Sequence, residues 1–271
     1  DTFHFKNLLS FAKYSWLSQV ESRTFKQADI FVMGFFVAPS LVGIYSIAWS
    51  LSMFLTLFGT SIRATLFPEI SNAATSGDTD PISLVEQGVS YEGLILIPGL
   101  VGGSILSERL LRIYGSEFTQ GAAVLWLLLL SVLLKGYQSE LLTGLNGIDR
   151  PEIAFRIYTV FIISNIILNV LLIYLYGWIG AALATATSTI IGLLASYTTI
   201  RNLTGFSIPI AIIIKQCIAA LVMGSFVYGC LWIERTYLLV ESNIVVIGVL
   251  VPTGALVYFG LLLTLSYEFR E

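Results

Sequence analysis

Eight stretches of twenty or more predominantly apolar residues, separated by short breaks rich in Pro, Gly, Ser and Asp, leave this 271-residue chain few ways to fold. About twenty helical residues, at 1.5 Å each, cross a hydrocarbon layer of roughly 30 Å. Within lipid a segment must satisfy its own backbone N–H and C=O groups, which a helix does and an isolated strand does not. The composition agrees: 56% of residues are hydrophobic and 11% charged, against about a quarter charged in soluble domains. The expected fold is all-α, a polytopic transmembrane bundle of about eight helices in the cell membrane.

The first stretch, Lys6 to Val37, breaks the apolar rule in a regular way. Ser15, Ser18, Gln19, Ser22, Arg23, Lys26 and Asp29 recur at helical spacing on one face, with Leu17, Val20, Ala28 and Phe31 largely opposite. One charge at mid-bilayer costs roughly 2.5–3.5 kcal/mol on insertion scales, so a stripe of charges persists only facing a polar cavity or each other. Gln19, Arg23 and Lys26 are therefore candidate pathway residues. Asp29, one turn beyond Lys26, is either a neutralising partner or an ion-coupling carboxylate.

The second crossing is expected over Val42–Leu66, closed by Phe67-Pro68-Glu69 and a polar loop from Ser71 to Asp80, with Arg63 snorkelling to the headgroups. Asp80 as N-cap and Pro81 at the first helical position open the third, which runs to Leu106 with a kink at Pro98. Gly88, Glu92, Gly99 and Gly103 share one face of it, placing Glu92 in a tight seam or at a cavity edge. Ser107–Gly121 reads as an interfacial connection. The fourth crossing, Ala122–Leu145, carries Lys135 near mid-depth with Ser131, Gln138 and Ser139 on its face, a second polar stripe. Asn165 and Asn169 lie one turn apart on the fifth, Ile153–Leu175, where such amides hydrogen-bond across packed helices. The sixth, Ile179–Ile200, is dense in small residues and ends at Arg201. Pro209–Trp232 and Asn243–Tyr267 are nearly free of charge and read as a peripheral pair, giving units of 1–204 and 205–271.

Other classes are disfavoured. A net charge of −3 without a basic cluster offers no footprint for nucleic acid. The single histidine, His4, has no ligand cluster around it, so neither a metal site nor a His-based dyad can be assembled in the membrane, and nothing points to a cofactor or an enzyme. Cys217 and Cys230 lie on different faces of one helix, roughly 20 Å apart, and cannot bridge. Basic residues place both ends in the cytoplasm: Lys6, Arg150, Arg156, Arg201, Lys215 and Arg270 then lie inside, against Arg109, Arg112 and Arg235 outside. The chain opens at Asp1 without the layout of a signal peptide, which points to a segment of something longer.

A series of short motifs carries a resemblance. Asp29-Ile30-Phe31-Val32-Met33-Gly34 is followed by Val42-Gly43-Ile44-Tyr45-Ser46-Ile47-Ala48, then Phe67-Pro68-Glu69-Ile70-Ser71, Gly115-Ser116-Glu117-Phe118, and Tyr176-Gly177-Trp178-Ile179-Gly180-Ala181-Ala182-Leu183-Ala184-Thr185. In this order they resemble the polysaccharide and oligosaccharide flippases of the multidrug/oligosaccharidyl-lipid/polysaccharide exporter superfamily, over about residues 6–200. The resemblance implies two six-helix lobes around a central cavity, often with two further C-terminal helices, and transfer of lipid-linked sugars by alternating access. It casts this chain as the second lobe plus the extra pair, partnered by a missing N-terminal lobe, the bilayer and a lipid-linked glycan. It also implies a cationic cavity wall, for which Arg23, Lys26 and Lys135 are the candidates, with Gln19 and Gln138 beside them. The competing expectation within the superfamily is an ion-coupled exporter of small amphiphiles that uses Asp29 and Glu92 as proton or sodium sites.

Overall fold

The structure is a computed structural model and describes residues 29–76, 80–237 and 242–265, which are helical throughout apart from short turns and contain no strand. Residues 29–36 form α1. Then follow α2 (Pro39–Met53), α3 (Thr56–Ser76), α4 (Pro81–Ile105), the short α5 (Ser107–Arg112), a 3₁₀ turn (Ser116–Gly121), α6 (Ala122–Gly147), α7 (Pro151–Tyr176), α8 (Trp178–Thr204), α9 (Ile210–Tyr237) and α10 (Asn243–Leu265). Six described helices are long and apolar enough to span a bilayer, and the bent pair α2 and α3, counted as one span, brings the number to seven. The chain is a multi-pass membrane protein of the expected all-α class. The first expected crossing falls mostly outside the described residues, and with it Gln19, Arg23 and Lys26.

Sequence signals place most boundaries. The Asp80 carboxylate accepts the Ile82 N–H at 3.0 Å, the cap read from the sequence. Between α7 and α8, Gly177 sits at φ 61°, a left-handed conformation that glycine takes without a Cβ penalty. At Gly180 a side chain would run into the Leu172 carbonyl, so α8 can close tightly on α7.

The second crossing departs from the expected single helix ending at Leu66. Its axis bends by 41° between α2 and α3, and α3 continues through Pro68 to Ser76. Proline removes one ladder hydrogen bond, but packing beyond it outweighs that loss: Ile70 is fully buried and presses against Gly147 at the end of α6. The stretch expected as loop from Ser71 is therefore helix for another turn and more.

The bundle is built around α6, which packs against α2, α3, α4, α7 and α8. Its two ends sit in separate apolar cores. Val124, Leu125, Leu128 and Leu129 join Met33, Tyr45, Trp49, Phe161 and Ala181 at one end. Leu141, Leu142 and Leu145 join Leu66, Ile70, Val85, Ile157 and Ile200 at the other. The polar middle of α6, from Ser131 to Glu140, lies between them. A third core ties α9 and α10 to α4 through Ile97, Ala219, Ala220, Met223, Leu250 and Tyr258. The connection expected at the interface supplies part of that attachment: Arg109 of α5 is buried, bonds the Asn243 side chain at 3.1 Å and pairs with Glu234.

Candidate functional site: a polar cavity at mid-bundle

Between the two cores of α6 lies a cavity of about 400 Å³, walled by α2, α3, α4, α6, α7 and α8. Ser131, Lys135, Ser139, Thr143 and Asn146 supply one wall at the three- and four-residue spacing of a single helical face. Thr56, Thr60 and Arg63 from α3, Glu92 from α4, Tyr158 from α7, and Thr185 and Thr189 from α8 close it. Lys135, the cation expected at mid-depth, lines this cavity with its ammonium 4.7 Å from the centre of the Phe161 ring. Ser131 and Ser139 share its face, as the spacing requires.

Gln138, assigned to the same face by the sequence reading, is not among the lining residues. It is buried, and its amide lies against Gly192 in the seam between α6 and α8. The reason is angular. With 3.6 residues to a turn, a step of four residues from Lys135 to Ser139 overshoots a full turn by less than half a residue, whereas the step of three to Gln138 falls short by more than half. Gln138 is thereby rotated off the cavity and toward α8.

Arg63 does not snorkel. Its Nη1 bonds Glu92 Oε1 at 3.0 Å and Glu140 Oε1 at 3.4 Å, and both carboxylates are almost wholly buried. Glu92 sits in the seam the glycine pattern indicated, in a gap kept open by Gly59 of α3 and Gly136 of α6, where any side chain would overlap it. Glu140 is seated against Gly88 of α4 in the same manner. Sequence reasoning passed over Glu140, although an ionisable residue inside an apolar span is itself a signal. The expected helix end at Leu145 placed it within about a turn and a half of the headgroups, where a carboxylate needs no partner. The helix runs on to Gly147.

Asp29 forms a second polar node. It is fully buried and accepts hydrogen bonds from the Tyr45 hydroxyl at 2.7 Å, the Asn169 amide at 2.8 Å and the Thr185 hydroxyl at 3.1 Å. The asparagine pair bridges helices as its spacing indicated. The Asn165 amide donates to Ser188 Oγ at 3.0 Å across α7 and α8, and the Asn169 amide also reaches Asn165 Oδ1 at 3.0 Å. Asn169 Oδ1 is buried with no hydrogen-bond partner among the described residues. Because Thr185 both binds Asp29 and lines the cavity, the node adjoins it. No group of three or more His, Cys, Asp or Glu side chains that could hold a metal ion occurs among the described residues.

Comparison with known proteins places this architecture. A family model described as lipid II flippase MurJ matches residues 19–248. The chain is 36% identical to the probable flippase AglR of Haloferax volcanii over 272 residues, which cover 98% of this chain and 56% of that protein. It is 30% identical to the probable low-salt glycan biosynthesis flippase Agl15 of the same organism over 185 residues, 68% of this chain and 39% of that one. A solved structure of lipid II flippase MurJ in an inward closed conformation superposes with a TM-score of 0.76 at 21% identity, over 96% of this chain and 54% of that chain, a likeness of fold. The chain spans about half the length of these relatives or less. With the matched model extending over most of its length, the chain belongs to the lipid II flippase MurJ family.

Proposed function

We propose that this chain forms one wall of a pathway through which a lipid-linked glycan precursor is flipped across the cell membrane by alternating access. The single observation that carries the reading is the mid-bundle cavity, where two cations, Arg63 and Lys135, stand among hydroxyl and amide groups between two dry cores. An anionic phosphate of a lipid carrier needs such cations, the sugar needs the hydroxyls and amides, and the tails remain in lipid. Transport of this kind requires no covalent step, and the chain acts as a transporter rather than an enzyme. The names of its relatives point the same way, since AglR and Agl15 are both called flippases.

In this reading a second helical lobe of the exporter superfamily type faces the cavity, and residues 1–204 are the transport lobe, with α9 and α10 as an attached pair. Arg23, Lys26 and Gln19 are proposed to extend the polar wall from the segment preceding α1. Asp29 is proposed as the ion-coupling residue. Its support is a buried carboxylate that the Tyr45 and Thr185 hydroxyls and the Asn169 amide hold beside the cavity, with Asn169 Oδ1 buried and unpartnered among the described residues as a further oxygen for a small cation.

The test is surface glycan assembly in cells that depend on the full-length protein. Arg63→Ala and Lys135→Ala are each expected to reduce it at least about tenfold, the loss of roughly 1.4 kcal/mol of headgroup binding, with membrane abundance unchanged. Assembly at the wild-type level in both variants would remove the cationic pathway. Asp29→Asn is expected to leave headgroup binding in place but to abolish the response to a sodium-ion gradient.

A further inference from the structure

Two buried carboxylates converge on one guanidinium in the cavity wall, so this cluster carries one more negative than positive charge when all three groups are ionised. Lys135 is engaged elsewhere, because its positive charge acts on Asp29 and its ammonium lies over Phe161. Glu92 Oε2 and Glu140 Oε2 are both buried with no hydrogen-bond partner among the described residues. Unpartnered charged oxygen away from water is costly, and a bound proton removes that cost by neutralising one of the two groups.

We propose that Glu92 and Glu140 share one exchangeable proton, and that its arrival from the aqueous side of the cavity releases Arg63 to an anionic headgroup. With the pair doubly ionised, both carboxylates hold Arg63 in the wall. One proton converts either carboxylate to a carboxylic acid, leaves a single ion pair, and lets the guanidinium turn to a phosphate while the remaining charge stays local. Proton and headgroup therefore favour each other's binding, and departure of the headgroup returns Arg63 to the pair as the proton leaves.

The seating of the two groups favours a proton over a shared metal ion. Glu140 is held at Gly88, and Glu92 lies between Gly59 and Gly136, one helical turn away along α6. Among the described residues, Arg63 from α3 and Tyr137 from α6 are the titratable groups that act on the pair, while Lys135 of α6 and Tyr158 of α7 line the same cavity. Cys217 of α9 and Tyr258 of α10 are the further titratable groups near Tyr137. From α8 the cavity receives only the hydroxyls of Thr185 and Thr189, and from α2 only Trp49, Ser52 and Met53. The inference rests on the cavity being the headgroup path, and the test below keeps the two separable.

Infrared difference spectra of the purified chain in an Asp29→Asn background are expected to show one protonated-carboxyl band that shifts in D₂O. Glu92→Gln and Glu140→Gln are each expected to abolish that band, because the surviving carboxylate is then matched one to one with Arg63. The two single variants duplicate the test should either fold poorly. Survival of the band in both, or its absence from the parent at every pH, overturns the proposal. Binding of farnesyl pyrophosphate, a short lipid pyrophosphate, supplies the second readout. Affinity should rise by up to about tenfold per unit fall in pH, the slope of one linked proton, and become flat in the Glu92→Gln/Glu140→Gln double variant. A pH dependence unchanged in the double variant overturns the hand-over to Arg63. Absence of binding at every pH, with the infrared band present, removes the headgroup path and the hand-over together and leaves the shared proton standing.

Discussion

At the residue scale, the site depends on glycines as much as on charges. Glu92 can lie in the wall only because neither Gly59 nor Gly136 carries a side chain there. Gly136→Val puts two methyl groups where the carboxylate and Leu96 now sit, and overpacking of this kind costs about 1–3 kcal/mol. The expected result is a lower melting temperature in detergent together with a flattened pH dependence of headgroup binding, since Arg63 is left with Glu140 alone. Glu92→Gln provides the contrast, keeping the shape while removing the charge. A melting temperature unchanged in Gly136→Val would show that the seam has slack. Charge content and depth mark Lys135, Glu92 and Asp29 as inward-facing in the sequence alone. Which groups share a partner is not legible, because Arg63, Glu92 and Glu140 lie 29 and 48 positions apart along the chain and meet only once three helices pack.

At the element scale, helix ends with local chemistry are legible and those set by packing are not. Asp80-Pro81 announces the start of α4 and is found there, because a cap needs only its neighbours. Pro68 announces an end that does not come, because the burial of Ile70 against a distant helix outweighs one lost hydrogen bond. The bend at Phe54–Leu55 carries no proline or glycine to betray it. The same distinction governs α5, read as an interfacial connection. Arg109 there holds Asn243 and Glu234 of the last two helices, and its removal leaves Glu234 without its cation in a part-buried site. Arg109→Ala should cost about 1–3 kcal/mol and loosen α9 and α10 from α4. The measurement is the rate at which Cys230, now partly buried, reacts with a thiol reagent. A faster reaction than in the wild type is expected, whereas an equal rate would mean that the apolar core around Met223 suffices to hold the pair.

At the scale of the whole molecule, the bundle separates an apolar exterior from a cavity lined by polar groups. Ile163, Val170 and Tyr174 on α7 point outward and are about half exposed or more, while Tyr158 of the same helix reaches the cavity. In a version with Cys217 and Cys230 replaced by Ser, a cysteine at position 139 is expected to react readily with a water-soluble maleimide in membranes, and one at position 163 to remain unreactive. Equal labelling at both positions would place the cavity in lipid and sink the pathway reading. Membrane class and the existence of a polar interior follow from segment length and charge depth. The cavity's position between two dry cores becomes visible only when α6 is seen to contribute to both.

The seat of Glu140 against Gly88 bears on how such proteins diverge. A carboxylate that fits only beside a missing side chain ties two positions 52 residues apart, so neither can drift alone. Among descendants of this sequence, a larger residue at position 88 should occur only with a shorter one at position 140. Positions 59, 92 and 136 should covary as a second set. A survey of aligned flippases would then recover the charged wall from amino-acid frequencies, even in members for which no structure exists.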